Sequence, residues 1–446
     1  MIEIHFANMM EDVIGEKGIS IGQIEGLRDK IAEAHKQIRD RKWRELAFLD
    51  LVDQDTARIK KLAVRVKETS EDFLLLGIGG SATGPRAIVD ALKPMHNYLS
   101  SPRIFIYDNS DPRTLNSLLS VLDLPKTTVN VVTKSGSTAE TISSFMILWD
   151  RMQRAVGKDA PGRFIITTDP HKGFLRKIAG DYGIETLAIP SGVVGRHSVL
   201  SPAGLLLSEV AGIDSDELLR GAADIIARCA NAELWENPAY VLAALLYLMK
   251  SAEGRGINVI MPYADGFDSL SHWCCQLWAE SLAKLGCGLT PYPSVGTKDQ
   301  HSQLQLWMEG PEDKVVLFIR IDDYGSDIVI PRVFTEVKEL DYLAESTLSE
   351  LMQTAMSSTE TVMAGESKPN LTLSIPTVDA YHVGQLFQFL EITTTVIGFL
   401  FGINPFNQPW IDTEKDNILT MIGKPVTEKA LRKTGAARQP NICWKI

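Results

Sequence analysis

Short apolar runs alternate with helix-length segments in two series along this chain, and that alternation restricts the architecture to largely parallel sheets flanked by helices. In the first series the runs are 73–76, 104–107, 129–132 and 164–167, with a fifth at 186–189. In the second they are 258–261, 315–321 and 371–375, interleaved with helical patterns over 268–286, 340–356 and 378–401. Helical patterns dominate 198–254 between them, which marks a lobe boundary, and a chain of 446 residues exceeds what one hydrophobic core usually serves. Ile21, Ile24, Leu27, Ile31 and Ala34 repeat at helical spacing ahead of the first series. The expected organisation is a helical segment over 1–70, α/β lobes over 71–215 and 216–403, and a C-terminal tail over 404–446. The tail carries a helix near 413–422 and a basic end around 429–438.

Two loops stand out at strand ends, Gly77-Ile-Gly-Gly-Ser81 and Thr133-Lys-Ser-Gly-Ser-Thr138, each leading into a helix. Helix N-termini present unpaired N–H groups and a positive dipole end; hydroxyls add donors, and glycine admits an anion close to the backbone. Together the loops describe a phosphate cradle, with Lys134 as a point charge. A formal charge of −11 argues against non-specific binding to nucleic acid or an anionic membrane, yet leaves room for a small anion in a local pocket. Five cysteines, Cys229, Cys274, Cys275, Cys287 and Cys443, form no framework spacing and fit a reducing cytoplasm. The first residues lack a signal-peptide pattern, and apolar runs such as 240–249 are too short to span a membrane.

Several side chains have the chemistry for proton transfer. Gln276, Glu280 and Lys284 share one helix face, set among Trp273, Leu277, Trp278 and Leu282. Apolar neighbours suit a carboxylate base, whereas the plain alternative is an exposed Glu–Lys pair. His301 sits in the polar stretch Gly296-Thr-Lys-Asp-Gln-His301, expected to be a loop, and histidine exchanges protons near neutrality. Arg196 follows a glycine turn and precedes Ser198, a plausible N-cap; it could face an oxyanion or sit ion-paired at the surface. His272, Cys274, Cys275, Cys287 and His301 cluster in sequence, but their spacing does not make a metal site. Gly77-x-Gly79-x-x-Ala82 with Asp108 at the end of the next strand also meets the permissive dinucleotide pattern, which leaves the second hydroxyl loop unexplained.

Taken in order, these segments resemble the glucose-6-phosphate isomerase family of the sugar-isomerase (SIS) domain superfamily. The matching blocks are the two loops with Glu140, Gly195-Arg-His-Ser-Val-Leu-Ser201, Gln276 through Lys284, Gly296 through His301, and Asn404-Pro-Phe-Asn-Gln-Pro409 followed by Lys415. The resemblance implies two SIS-type lobes that interconvert glucose 6-phosphate and fructose 6-phosphate in glycolysis and gluconeogenesis. It implies no metal or organic cofactor, and a cytoplasmic homodimer whose site is shared across the interface. It assigns the phosphate to Gly80, Ser81, Thr133, Lys134, Ser135 and Thr138, and the sugar hydroxyls to Gln276. Glu280 would be the base, Arg196 would stabilise the enediolate, and His301, from the neighbouring subunit, would open the sugar ring with help from Lys415. The chain departs from the family pattern at Val194, His197 and Ala283, where glycine, an aromatic and glycine are usual. Trp410 and Asp412 replace the usual Gly and Glu before Lys415. Two alternatives remain at this level: a catalytically silent sugar-phosphate-binding regulator, and an NAD(P)-dependent dehydrogenase of a phosphorylated substrate.

Overall fold

A computed structural model of the chain describes residues 1–422; the basic segment expected around 429–438 and Cys443 lie outside the described residues. The described residues contain ten strands: β1 (Glu3–His5), β2 (Asp72–Leu76), β3 (Arg103–Tyr107), β4 (Thr127–Thr133), β5 (Phe164–Thr168), β6 (Glu185–Ala188), β7 (Ile257–Pro262), β8 (Thr290–Pro293), β9 (Lys314–Asp323) and β10 (Asn370–Thr377). They form two five-stranded sheets, ordered β3-β2-β4-β5-β6 and β1-β10-β9-β7-β8. Every pairing is parallel except that of β1 with β10. β2, β4 and β5 are buried along their whole length, which is why, Asp72 and Asn130 apart, they read as continuous apolar or β-branched runs rather than alternating ones.

Counted from β2 in the first sheet and from β7 in the second, both sheets wind in one order: second, first, third, fourth. In the first sheet the fifth place belongs to β6, and in the second it is taken by β1, which arrives antiparallel from the start of the chain. β1 and β8 carry no strand signal in the sequence. β8 is Thr-Pro-Tyr-Pro, and prolines confine such a strand to an edge. The helix expected over 340–356 instead runs Leu348–Gly365, because Thr347 caps it and forms a reciprocal capping box with Glu350.

The chain divides into two compact units, Met1–Phe406 and Asn407–Ile446. The first contains all ten strands and the principal core. Of the second, the helix Pro409–Met421 is described. Among the described residues one helix, Ala380–Leu400, is long and apolar enough to cross a membrane by length and composition, and 94% of its apolar window is buried inside the fold as a core helix. Cys229 and Cys274 are buried, Cys275 partly so, Cys287 exposed, and all four are free thiols.

Candidate active site

In the first sheet β2 and β4 are neighbours, yet the chain leaves β2 toward β3 on one side and enters β4 on the other. The carboxyl ends of two such strands bound the crevice where parallel α/β sheets bind ligands. Both hydroxyl loops lie there. The first continues from β2 through a tight turn, Gly79–Ser81, into the helix Thr83–Leu92, with Ser81 buried. The second continues from β4 into the helix Ala139–Val156.

In this second loop three hydroxyls converge: Thr133 Oγ1 lies 2.8 Å from Thr138 Oγ1 and 3.4 Å from Ser135 Oγ, and Ser135 and Thr138 are 3.3 Å apart. Thr138 holds the N-cap position without capping the helix through its side chain, so the hydroxyls face one another above an uncapped helix start. Lys134 points elsewhere. Its ammonium donates to Asp169 at 3.2 Å and to the carbonyls of Ile189 and Pro190 at 3.2 and 2.9 Å, so its charge is already shared with a carboxylate. Gly80 meets protein rather than open space: a Cβ there would stand 2.2 Å from the Gly195 carbonyl oxygen. The first loop is thereby pressed backbone to backbone against the turn that carries Arg196.

That turn, Gly195–His197, faces the helix Asp268–Leu282. Here a relay of side chains joins the 83–92 helix, the 195–197 turn and the 268–282 helix. The Thr83 hydroxyl donates to Gln276 Oε1 at 2.7 Å, and Gln276 Nε2 donates to Glu280 Oε1 at 2.8 Å. The other carboxylate oxygen accepts from Arg196 Nη1 at 3.2 Å. Arg196 also donates from Nε to Ser281 Oγ and from Nη2 to the Pro405 carbonyl, both at 2.7 Å. Its side chain is 1% exposed and that of Glu280 17%, so this is a largely desolvated ion pair rather than a surface one. Lys284 does not pair with the Glu280 carboxylate, as an exposed helix face would require, but donates to the main-chain carbonyls of Glu280 and Ser281. Burial first, and then the Arg196 guanidinium, push Lys284 down to about 8, against the opposing pull of Glu280. The helix N-cap after this turn is Ser201, which accepts from the Ala203 N–H; Ser198, the expected cap, instead donates to the Gly195 carbonyl.

His301 lies in the first turn of a helix, Gln300–Glu309, and is exposed, where a loop had been expected. Leu304, Trp307 and Met308 of that helix pack into the core of the second sheet, and their spacing is the signal for it. Lys415 belongs to the helix Pro409–Met421 of the second unit. Thr83 and Ser281, which hold Gln276 and Arg196, were not singled out from the sequence. Their only mark is position, one at a helix start beyond the glycine turn and one directly after Glu280. Among the described residues no group of His, Cys, Asp or Glu is arranged to hold a metal ion.

The pattern of the family described as phosphoglucose isomerase matches residues 64–429. A glucose-6-phosphate isomerase of Carboxydothermus hydrogenoformans is 38% identical over 441 residues, covering 95% of each chain. One of Rubrobacter xylanophilus is 42% identical over 371 residues, covering 82% of this chain and 86% of its own. The crystal structure of a glucose-6-phosphate isomerase from Chlamydia trachomatis superposes with a TM-score of 0.80 at 22% identity, over 97% of this chain and 90% of that one, a likeness of fold.

Proposed function

The chain belongs to the phosphoglucose isomerase family and interconverts glucose 6-phosphate and fructose 6-phosphate, and we propose that Glu280 is the base that carries the proton between C2 and C1. The observation that carries this reading is the Glu280 carboxylate itself, held between Gln276 and Arg196 beside the crevice of the first sheet. One carboxylate can serve both carbons of a cis-enediol, because they are adjacent and their protons leave and arrive on one face. When Glu280 takes the proton it becomes neutral, and the negative charge passes to the enediolate oxygen. Arg196, desolvated and 3.2 Å from the carboxylate, then faces that new charge without having to reorganise. Gln276 keeps the carboxylate in register and offers its amide to the sugar hydroxyls.

The phosphate is bound by Ser81, Thr133, Ser135 and Thr138 together with the N–H groups at the start of the 139–156 helix. Lys134 contributes through its place in the loop, since its ammonium is engaged by Asp169. We assign the SIS-type lobes to 71–215 and 216–403. The enzyme acts as a homodimer in which His301 of the partner subunit opens the sugar ring. Two features support that assembly: His301 is exposed, and Ile328, Val329, Phe334, Tyr342 and Leu348 leave large apolar side chains uncovered. A cytoplasmic setting accords with the four free thiols described. Against a dinucleotide site stands Gly79, the fingerprint glycine that a pyrophosphate would approach: a Cβ there would lie 3.0 Å from Gln276 Nε2, so a side chain already occupies that face.

The test is conversion of fructose 6-phosphate to glucose 6-phosphate in EDTA with no added cofactor, comparing wild type with Glu280→Gln. The variant is expected to lose about 10²–10⁴-fold in kcat while still binding the sugar phosphate. Retention of wild-type kcat within tenfold would remove Glu280 as the base.

A further inference from the structure

The helix that carries Glu280 ends in an unusual way. A helix leaves its last four carbonyls without intrahelical partners, and the common remedy is a left-handed residue, usually glycine, just past the end. Here that residue is Ala283, with φ −79° and ψ 78°, and no left-handed cap forms. The Ala279 carbonyl accepts from the Ala283 N–H at 3.4 Å. Each of the other three accepts from one residue, Lys284: the Leu282 carbonyl from its main-chain N–H at 2.9 Å, and those of Glu280 and Ser281 from its ammonium at 2.8 and 2.7 Å.

The chain is shaped to keep that ammonium in place. Beyond Lys284 it turns through Leu285 and Gly286, both at positive φ, and Cys287 returns its N–H to the Lys284 carbonyl at 2.8 Å. Gly288 then passes so close to the end of the helix that a Cβ would lie 2.2 Å from the Leu282 carbonyl oxygen. The residues whose carbonyls Lys284 holds are also the two whose side chains matter most: Glu280 carries the carboxylate, and Ser281 accepts from Arg196 Nε. A loosened last turn would move both partners of the guanidinium together.

We propose that Lys284 is a positioning residue for the isomerisation, its ammonium closing the last turn of the 268–282 helix so that Glu280 and Ser281 hold Arg196 and the base in mutual register. This rests on the reading of Glu280 and Arg196 as the reacting pair. The groups that face the ammonium are Arg196 and the buried, neutral His197 from the 195–197 turn and Glu280 on its own helix. Of these, Arg196 opposes its charge and Glu280 favours it, and burial adds to the first, so that Lys284 titrates at about 8.

The experiment compares Lys284→Met and Lys284→Arg with wild type, measuring kcat and KM for fructose 6-phosphate from pH 6 to 10, with thermal unfolding followed in parallel. Lys284→Met is expected to lower kcat by about 10–100-fold with KM within about threefold, because the phosphate loops lie on other elements. Lys284→Arg keeps a cation at all these pH values and is expected to restore kcat at pH 7 to within about threefold, moving the alkaline fall in kcat from near pH 8 to above about pH 9. A folded Lys284→Met with kcat within twofold of wild type overturns the proposal. So does a Lys284→Arg profile that falls at the same pH as wild type, and this second reading decides the matter if the Met variant does not fold. An active Glu280→Gln enzyme would instead strike at the identity of the base, independently of either lysine variant.

Discussion

Gly80→Ala adds one methyl group and is expected to disable the enzyme. The new Cβ would lie 2.2 Å from the Gly195 carbonyl oxygen, 2.4 Å from its carbon and 2.7 Å from the Arg196 nitrogen, where ordinary contact begins near 3.4 Å. All three are backbone atoms, so no side chain can swing aside. Either the loop after β2 or the 195–197 turn must retreat by about 1 Å. The turn cannot move freely, because the Arg196 guanidinium is tied to Glu280, Ser281 and the Pro405 carbonyl. Overpacking of this kind costs about 1–3 kcal/mol in stability. A displacement of about 1 Å at a reacting group costs on the order of 10²-fold in rate. The expected variant is therefore folded, melts a few degrees lower, and has kcat/KM reduced roughly a hundredfold in an assay coupled through glucose-6-phosphate dehydrogenase. A Gly80→Ala enzyme with kcat/KM within threefold of wild type would refute the claim that these backbones are pressed together to place Arg196.

Thr138→Val removes one member of the hydroxyl triangle and should raise KM for fructose 6-phosphate by about tenfold or more with a smaller change in kcat, since a hydrogen bond to a charged group is worth about 1.5–3 kcal/mol. Glu391 is buried with neither carboxylate oxygen partnered among the described residues, and burial holds its carboxyl well above the usual range. Its neutral form belongs to the folded state, so stability is lost as pH rises through the folded-state pKa. Glu391→Gln should flatten the fall in urea midpoint with rising pH, by a slope of up to about 1.4 kcal/mol per pH unit. His197 has the opposite sign: burial first, then Arg196 and Lys284, hold it neutral between Phe48 and Phe406, and neither ring nitrogen has a partner among the described residues. Wild-type stability should fall as pH drops through about 6.5, and His197→Phe should lack that acid loss and gain about 1 kcal/mol at pH 7, measured by chemical denaturation.

What could be read in the sequence follows from whether the deciding interaction is local. β2, β4 and β5 are buried on both faces, and their composition alone reveals them. β1 pairs with a strand at the far end of the compact unit, so nothing near Glu3 announces it. The His301 helix begins in a polar run, and its three core contacts come late, at Leu304, Trp307 and Met308. Arg196, Gln276 and Glu280 were legible as candidates because motif order ties them together, and the structure brings them into one relay. Lys134 was read as a charge aimed at phosphate because a sequence does not say where a long side chain points. Asp169, 35 residues further on, decides it. Thr83 and Ser281 are ordinary hydroxyls whose importance exists only once segments 193 and 85 residues apart meet.

The borrowed fifth strand of the second sheet has a consequence for synthesis. Glu3 pairs with Ser374, a separation of 371 residues, so β1 is made ahead of the other described strands and can pair only after β10 has been made. At about 5–20 residues per second it waits roughly 20–70 s for β10 to appear. The first sheet, whose five strands lie close together in the chain, can close during that interval. The second presents the bare edge of β10 until β1 covers it, and such an edge invites pairing with another nascent chain.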